Sequence, residues 1–195
     1  MDLSPAGGLR AIKSTLGHTL VGLSVTATLG PGGSVTVTGI RFIFGHMGPS
    51  PAPELANLHA RLRRVLDGQN VTLDDIKLDL SQCTDFQRKV LTVARRIPHG
   101  ATVSYAALAR LSGHPAAVRA VASVMRNNDF PLIVPCHRIV RSDGSIGGFM
   151  GETTGRSTDL KRRLLEAEGV RTELRHSVWM VAGLPTPALL TRGLR

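Results

Sequence analysis

Cysteine is scarce. There are two in 195 residues, Cys83 and Cys136. Two are too few for a disulfide framework. With no CxxC pair and the seven histidines scattered, a zinc site of the known Cys/His kind is excluded as well. Also missing is any apolar run near the roughly 20 residues that span a bilayer. The opening MDLSPAGGLRAIKS lacks the basic-then-apolar plan of a secretory signal. The expectation is a soluble protein with no membrane partner, cytoplasmic, or nuclear in a eukaryote. Acid is in short supply too: 14 Asp plus Glu face 24 Lys plus Arg, a net charge of +10. Such a balance favours a polyanion, nucleic acid first, against the plainer alternative of a generally basic surface.

What is present suffices for a core. Hydrophobic residues make up 42% of the chain and charge is dispersed, which argues against general disorder. The length suits one ordinary domain or two small ones. LVGLSVTATL and SVTVTGIRFIF flank the turn GPGG at Gly30 to Gly33, a hairpin signal. In PELANLHARLRRVLDG, Leu55, Leu58, Leu62, Val65 and Leu66 recur at helical spacing, with Gly68 as the stop. VTLDDIKLDL is expected as a third strand. Thr84 and Gln87 form a capping box ahead of a helix whose buried stripe is Phe86, Val90, Leu91, Ala94 and Ile97. After Gly169 the chain becomes richer in Pro, Gly and Arg, and SVWMVAG is expected as a short packed segment.

SYAALARLSGHPAAVRAVASVMRNND reads as helix, tight turn, helix. Ser104 can cap the first helix, Gly113 breaks it, and Pro115 suits the first turn of the second. On a basic chain this suggests DNA binding, although many helical pairs look alike. Ala117, Ala120, Val121 and Val124 would face the core. Arg119, Ala122 and Arg126 would face outward. That outer face lacks the Asn and Gln of a major-groove base code. Its small residues allow close backbone approach, and a lone Arg can enter a groove or a vacated stack; an ordinary solvated Arg is the alternative.

A free cysteine is most often a small buried hydrophobe, and Cys83 reads that way. Cys136 stands in VPCHRIVRSDGSIGGF, between a stiff proline and a histidine. A thiol is only a few per cent thiolate at neutral pH, and an adjacent His137 can take its proton. A reactive pair and a chance pairing both fit. In LKRRLLEAEGV, Leu160, Leu164 and Ala167 share one face, and Glu168 falls in the last turn. A carboxylate opposing the helix dipole there suits a partner such as His137, or is simply a solvated acid among arginines.

PCHRIV with the downstream GGF, the preceding helix-turn-helix and the closing KRRLLEAEG closely resemble the O6-alkylguanine-DNA alkyltransferases, over roughly Phe86 to Val170. The resemblance implies an α+β fold. A small N-terminal α/β domain with a β-hairpin (residues 1–80) would precede a mainly helical, winged-helix-like catalytic domain (81–170) and a C-terminal tail (171–195). It implies a monomer without cofactor or metal, acting on double-stranded DNA that contains O6-alkylguanine. Each molecule would transfer one alkyl group irreversibly to Cys136 after flipping the nucleotide. His137 would act as base through a water, oriented by Glu168; Asn128 would hold the active-site turn; Tyr105 would assist the flipped nucleotide and the leaving guanine. Arg119 would replace the flipped base, with Ala117, Ala122 and Arg126 beside it on the DNA. Met125, Val140 and Phe149 would wall the pocket, and Ile139 would lie on the turn whose backbone reads the guanine edge. Phe149 stands where many relatives have tyrosine, and GETTGRSTD looks longer than the usual loop there. A lesion-binding sensor that does not transfer, or a helix-turn-helix regulator, is the alternative; the sensors lack the cysteine.

Overall fold

Strict alternation builds the first sheet. The structure, a computed structural model, describes residues 9–45, 50 and 52–182. The expected hairpin is β2 (Gly22–Leu29) and β3 (Val35–Ile43), joined through Gly32 and Gly33, both at positive φ. Leu23, Val25 and Ala27 point inward from β2. On β3 the inward set starts with Val37 and resumes at Ile40 and Phe42. That change of parity is made by a bulge between Thr26 and Ala27. One extra residue flips every later side chain to the other face, so the bulge aims Phe42 at the second half of the chain.

The sheet order is β1-β2-β3-β4. β1 (Arg10–Leu16) pairs antiparallel with β2 and was not expected. Only its last three residues, Ser14, Thr15 and Leu16, are buried, and two are polar, so no apolar alternation marked it. The expected third strand shrinks to β4 (Lys77–Leu78), parallel to β3. Helix α1 (Ala56–Leu66) buries Leu58, Leu62, Val65 and Leu66. It stops at Gly68, whose φ of 75° needs no Cβ. A Cβ at Gly68 would also overlap the backbone carbonyl of Ala167.

Helix α2 (Asp85–Arg95) carries the capping box: Gln87 N–H donates to Thr84 Oγ1 (3.2 Å) and Thr84 N–H to Gln87 Oε1 (2.8 Å). Two-residue strand β5 (Val103–Ser104) leads into α3 (Tyr105–Leu111), where Ser104 Oγ accepts from Ala107 N–H at 3.1 Å. Gly113 turns the chain at φ 78°. Helix α4 (Val118–Arg126) then starts later than expected, because Pro115 belongs to the turn and Ala117 is the N-cap. Its buried face is Val121, Val124 and Met125; Ala120 is exposed. The expected core stripe is thus rotated toward Met125.

After α4 come β6 (Ile139–Val140), α5 (Arg156–Ala167) and a hairpin of β7 (Thr172–Arg175) and β8 (Val178–Val181). Of SVWMVAG, Val178–Val181 form β8 and Val181 packs with Val140, Ile146 and Leu165 in a small core of their own, while Gly183 lies outside the described residues. The other buried hydrophobic side chains among the described residues belong to one cluster running from Leu16 to Leu164. Two contacts carry it across the halves: Ile40 N–H donates to the Asp129 carbonyl at 2.7 Å, and the rings of Phe42 and Phe149 lie 5.8 Å apart. Among the described residues, no helix is long and apolar enough to cross a membrane. Two stretches bearing sequence expectations, 1–8 and 183–195, lie outside the described residues.

Candidate active site

The segment from Asn128 to Pro135 has no helix or named strand, so its backbone groups need other partners. Asn128 supplies two: its Nδ2 donates to the Val134 carbonyl (2.9 Å) and its Oδ1 accepts from Phe130 N–H (3.0 Å). Val134 N–H closes the turn on the Phe130 carbonyl at 2.8 Å. Leu132 inside it sits at φ 72°, a conformation costing about 1–2 kcal/mol for a residue with a Cβ. Its burial at 2% exposure offsets that. Cys136–Arg138 follow as one 3-10 turn. β6 then pairs in parallel with β5, Val103 against Ile139 and Ser104 against Val140. This short ladder draws Tyr105, the first residue of α3, to the cysteine.

His137, Arg138 and Glu168 form one buried group. His137 is 1% exposed and Glu168 6%. His137 Nε2 donates to Glu168 Oε1 at 3.0 Å. The Arg138 guanidinium grips the same carboxylate from Nε (2.9 Å) and Nη2 (2.8 Å), and Gly100 N–H donates to Oε2 at 3.2 Å. Glu168 lies one residue past the last turn, as the C-cap of α5. Burial alone would raise its pKa, but the hydrogen bond from His137 and the hydrogen bonds and charge of Arg138 outweigh that and hold it well below the usual carboxylate range. Burial also lowers the pKa of His137, against the raising effect of Glu168. The imidazole is thus neutral, and the charge that keeps Glu168 ionised is that of Arg138. With Nε2–H committed to Glu168, Nδ1 is the acceptor, and it is buried with no hydrogen-bond partner among the described residues. An unpartnered ring nitrogen on the residue next to Cys136 is the kind of group that proton removal from a thiol requires.

Burial pushes the Cys136 thiol up in pKa; a hydrogen bond from the Asn128 side chain and the positive charge of Lys161 act the other way. Lys161 is fully buried, at 0% exposure. Its Nζ donates to the Ile139 carbonyl at 2.6 Å and the Gly148 carbonyl at 3.3 Å, and lies 5.9 Å from the centre of the Tyr105 ring. Burial brings its pKa from 10.5 to about 7, against the attraction of Cys136. Tyr105 is pushed up to about 12 by burial and by Cys136, so it keeps its proton. Sequence reasoning missed Lys161, which sits in a basic run, and Arg138, which stood only as a letter in PCHR.

A cavity of about 310 Å³ opens over Cys136. Arg119, Ala122, Met125 and Arg126 of α4 line one side, Tyr105 and Cys136 lie deeper, and Phe149 to Thr153 form the far rim. That rim is a tight turn: Phe149 and Glu152 exchange backbone hydrogen bonds of 2.8 and 3.0 Å across Met150 and Gly151, at φ 52° and 85°. The long loop expected over 150–159 is shorter, since Arg156 already begins α5. Ile139 and Val140 are fully buried in β6 and are not among the cavity's lining residues. Ala117 is half-buried at the start of α4, also away from the lining. Among the described residues, no group of three or more His, Cys, Asp or Glu side chains is placed to hold a metal ion.

A buried thiol next in sequence to a buried histidine, in a cavity walled by the second helix of a helix-turn-helix, is an arrangement suited to nucleophilic chemistry. Residues 85–170 match the family described as 6-O-methylguanine DNA methyltransferase, DNA binding domain. A methylated-DNA–protein-cysteine methyltransferase of Methanothermobacter thermautotrophicus is 43% identical over 64% of this chain and 66% of its own length. The constitutive enzyme of that name from Bacillus subtilis is 38% identical over 60% and 68%. The chain spans between a third and about two thirds of the length of the curated relatives it matches. The crystal structure of Mycobacterium tuberculosis O6-methylguanine methyltransferase superposes with a TM-score of 0.64 at 30% identity, covering 82% of this chain and 93% of that one. That of M. tuberculosis OGT in complex with DNA gives 0.64 at 31%, over 80% and 92%. The chain belongs to the O6-methylguanine-DNA methyltransferase family.

Proposed function

We propose that this protein repairs DNA by transferring the alkyl group of O6-alkylguanine to Cys136, once per molecule. The observation that carries the reading is the position of the thiol: buried, in the wall of the cavity beside α4, next to a histidine whose Nδ1 is unpartnered. The helical second half would dock on duplex DNA as a winged-helix-like unit through the outer face of α4, with the first half as a separate N-terminal domain. The damaged nucleotide would swing into the cavity, at a cost of a few kcal/mol that is smaller for a badly paired lesion. Arg119 would fill the vacated stack, flanked by Ala122 and Arg126.

The resting thiol is protonated, since burial raises its pKa. Its proton would pass through a water to His137 Nδ1, whose ring Glu168 and Arg138 fix in place. Sulfur then attacks the alkyl carbon, the S–C bond forms and the C–O6 bond breaks with its electron pair leaving on guanine. Tyr105, still protonated, would donate its proton to the departing base and regain one from water, while His137 returns the thiol's proton to water. The proton lost by the thiol balances the one guanine gains. The product is a thioether, and no group in the cavity is placed to hydrolyse it.

Mass spectrometry after incubation with a duplex carrying O6-methylguanine tests the reading. A single methyl on Cys136 is expected in the parent and in Cys83→Ser, and none in Cys136→Ser, which should still bind DNA. An unmodified Cys136, with tight lesion binding, would favour the sensor instead.

A further inference from the structure

A cavity of about 610 Å³ lies between the loop after α1 and the end of α2, and it shares no lining residue with the one over Cys136. Small-molecule sites span about 300–1,000 Å³. Leu132 and Ile133, from the turn that leads into Cys136, line it together with Arg138. Its charge is mostly positive: Arg95, Arg96 and Arg138 face one carboxylate, Asp74, whose charge is felt at Arg95. Some of these cations are already engaged. Arg95 Nη2 donates to the Leu73 and Ile76 carbonyls, although its Nε is buried with no hydrogen-bond partner among the described residues. His99, also in the wall, donates from Nε2 to the Gly68 carbonyl at 2.8 Å. Arg138 is engaged only in part. Of the five N–H groups of a guanidinium, Nε and one hydrogen of Nη2 go to Glu168, and one hydrogen of Nη1 goes to the Ile97 carbonyl at 2.6 Å. The second hydrogens of Nη1 and Nη2 have no acceptor among the described residues. Arg96 is exposed and makes no side-chain ion pair among the described residues.

Unused donors on a fixed cation suit an anion, since hydrogen bonds between charged partners are about twice as strong as neutral ones. Other parts of the wall suit carbon: Val71, Val93 and Leu111 border the cavity and are only half-buried. We propose that this cavity binds a small ligand with an anionic head, a phosphate or a carboxylate, on a short apolar body. The head lies between Arg96 and the free edge of Arg138, and the body lies against Val71, Val93 and Leu111. This site is separate from alkyl transfer and does not depend on it. Its occupancy is nevertheless felt at the catalytic group, because the guanidinium that meets the ligand also holds Glu168, and Glu168 holds His137. A DNA phosphate has the same chemistry, but no residue of α4 lines this cavity.

The test follows backbone amide and arginine Nε–H signals of the full chain by NMR, at constant ionic strength. The probes are hexyl phosphate, hexanoate, hexanol and a short undamaged duplex. The acids are expected to move the amides of Asn70, Thr92 and His99 and the Nε–H of Arg138 saturably, and the tighter acid names the head group. Hexanol should bind more weakly than that acid by roughly tenfold or more, the worth of one hydrogen bond to a charged group. The same loss is expected for the acid in Arg96→Glu, which removes the cation at the rim, and in Thr92→Trp, which fills the exposed wall; unchanged α4 signals in both variants show that they are folded. The duplex should move amides of α4 and leave Asn70 and Thr92 in place. Hexanol binding as tightly as the acids would overturn the anionic head. Acid-induced shifts confined to α4, or full affinity in both variants, would overturn the site. Duplex-induced shifts at Asn70 and Thr92 would make the cavity a DNA contact and overturn the small ligand. An Arg138 Nε–H that stays still at saturation would overturn the link to Glu168.

Discussion

Lys161 Nζ and the Ile139 carbonyl are 2.6 Å apart in a setting with no solvent exposure. The ammonium has the Ile139 and Gly148 carbonyls for company and no carboxylate hydrogen-bonded to it among the described residues. A cation so placed is costly to bury, yet it favours the thiolate of Cys136. Lys161→Met should therefore slow transfer by roughly tenfold or more, and move the alkaline limb of thiol alkylation by a small reagent to higher pH, because a unit of pKa corresponds to about 1.4 kcal/mol. Stability should change the opposite way. The folded pKa of about 7 lies below the 10.5 of a free lysine, so the unfolded chain binds the extra proton between those values. Stability then rises with pH across that window. Urea denaturation in a Cys136→Ser background, where the thiol no longer titrates, should show the rise with Lys161 and lose it with Lys161→Met.

Glu168→Gln keeps the shape and removes the charge. Arg138 is left gripping a neutral amide, and His137 keeps only an uncharged acceptor, shared with an NH2 that cannot accept. Breaking one side of a buried pair costs about 3 kcal/mol, and chemical denaturation at pH 7 should read that loss. The folded pKa is depressed, so the carboxylate's contribution is fully present above the unfolded value of about 4.3 and lost as pH falls below it. The gap between parent and variant should narrow from pH 6 toward pH 3; a constant gap would mean that shape, and not charge, accounts for the loss.

Arg119→Ala should slow repair of duplex DNA far more than reaction with free O6-benzylguanine. A free base needs no flipping and leaves no hole to fill. Single-turnover rates on the two substrates check this, and equal slowing would assign Arg119 to the pocket itself. Arg119→Lys should recover little on duplex, since an ammonium cannot stack as a planar guanidinium does.

Binding to undamaged duplex should fall steeply with salt and vary little with sequence, because phosphate neutralisation releases counterions whatever the bases are. The outer face of α4 offers Arg119, Ala122 and Arg126 and no amide side chain. Titrations at several salt concentrations on unrelated sequences provide the check, and one preferred sequence at high salt would point to a regulator.

Signals that act within a few residues were legible before the fold was known. The Thr84–Gln87 capping box, the Ser104 cap and the stops at Gly68 and Gly113 each depend on one turn of backbone. The pairing of His137 with Glu168 was legible from the resemblance and from a carboxylate set against a helix dipole. What could not be read is set by distant chain. Lys161 lies in LKRRLLEAEG, where Arg162 and Arg163 look the same on paper; only the strands and loop packed over it make it the buried one. β1 shows no alternation because its neighbours, not its own residues, complete the sheet. The face of α4 was turned by one residue because Met125, a wall of the cavity, is also core.

The meeting of Gly68 with the carbonyl of Ala167 has a consequence for how the site comes into being. The end of α1 abuts the last residue of α5, one position before Glu168. Chain made early is therefore the seat on which chain made late must land. During synthesis Cys136 and His137 emerge before Glu168 does, and for that interval the thiol lacks its buried carboxylate–arginine support. His137 gains its carboxylate acceptor only when the final turn of α5 has docked against the end of α1.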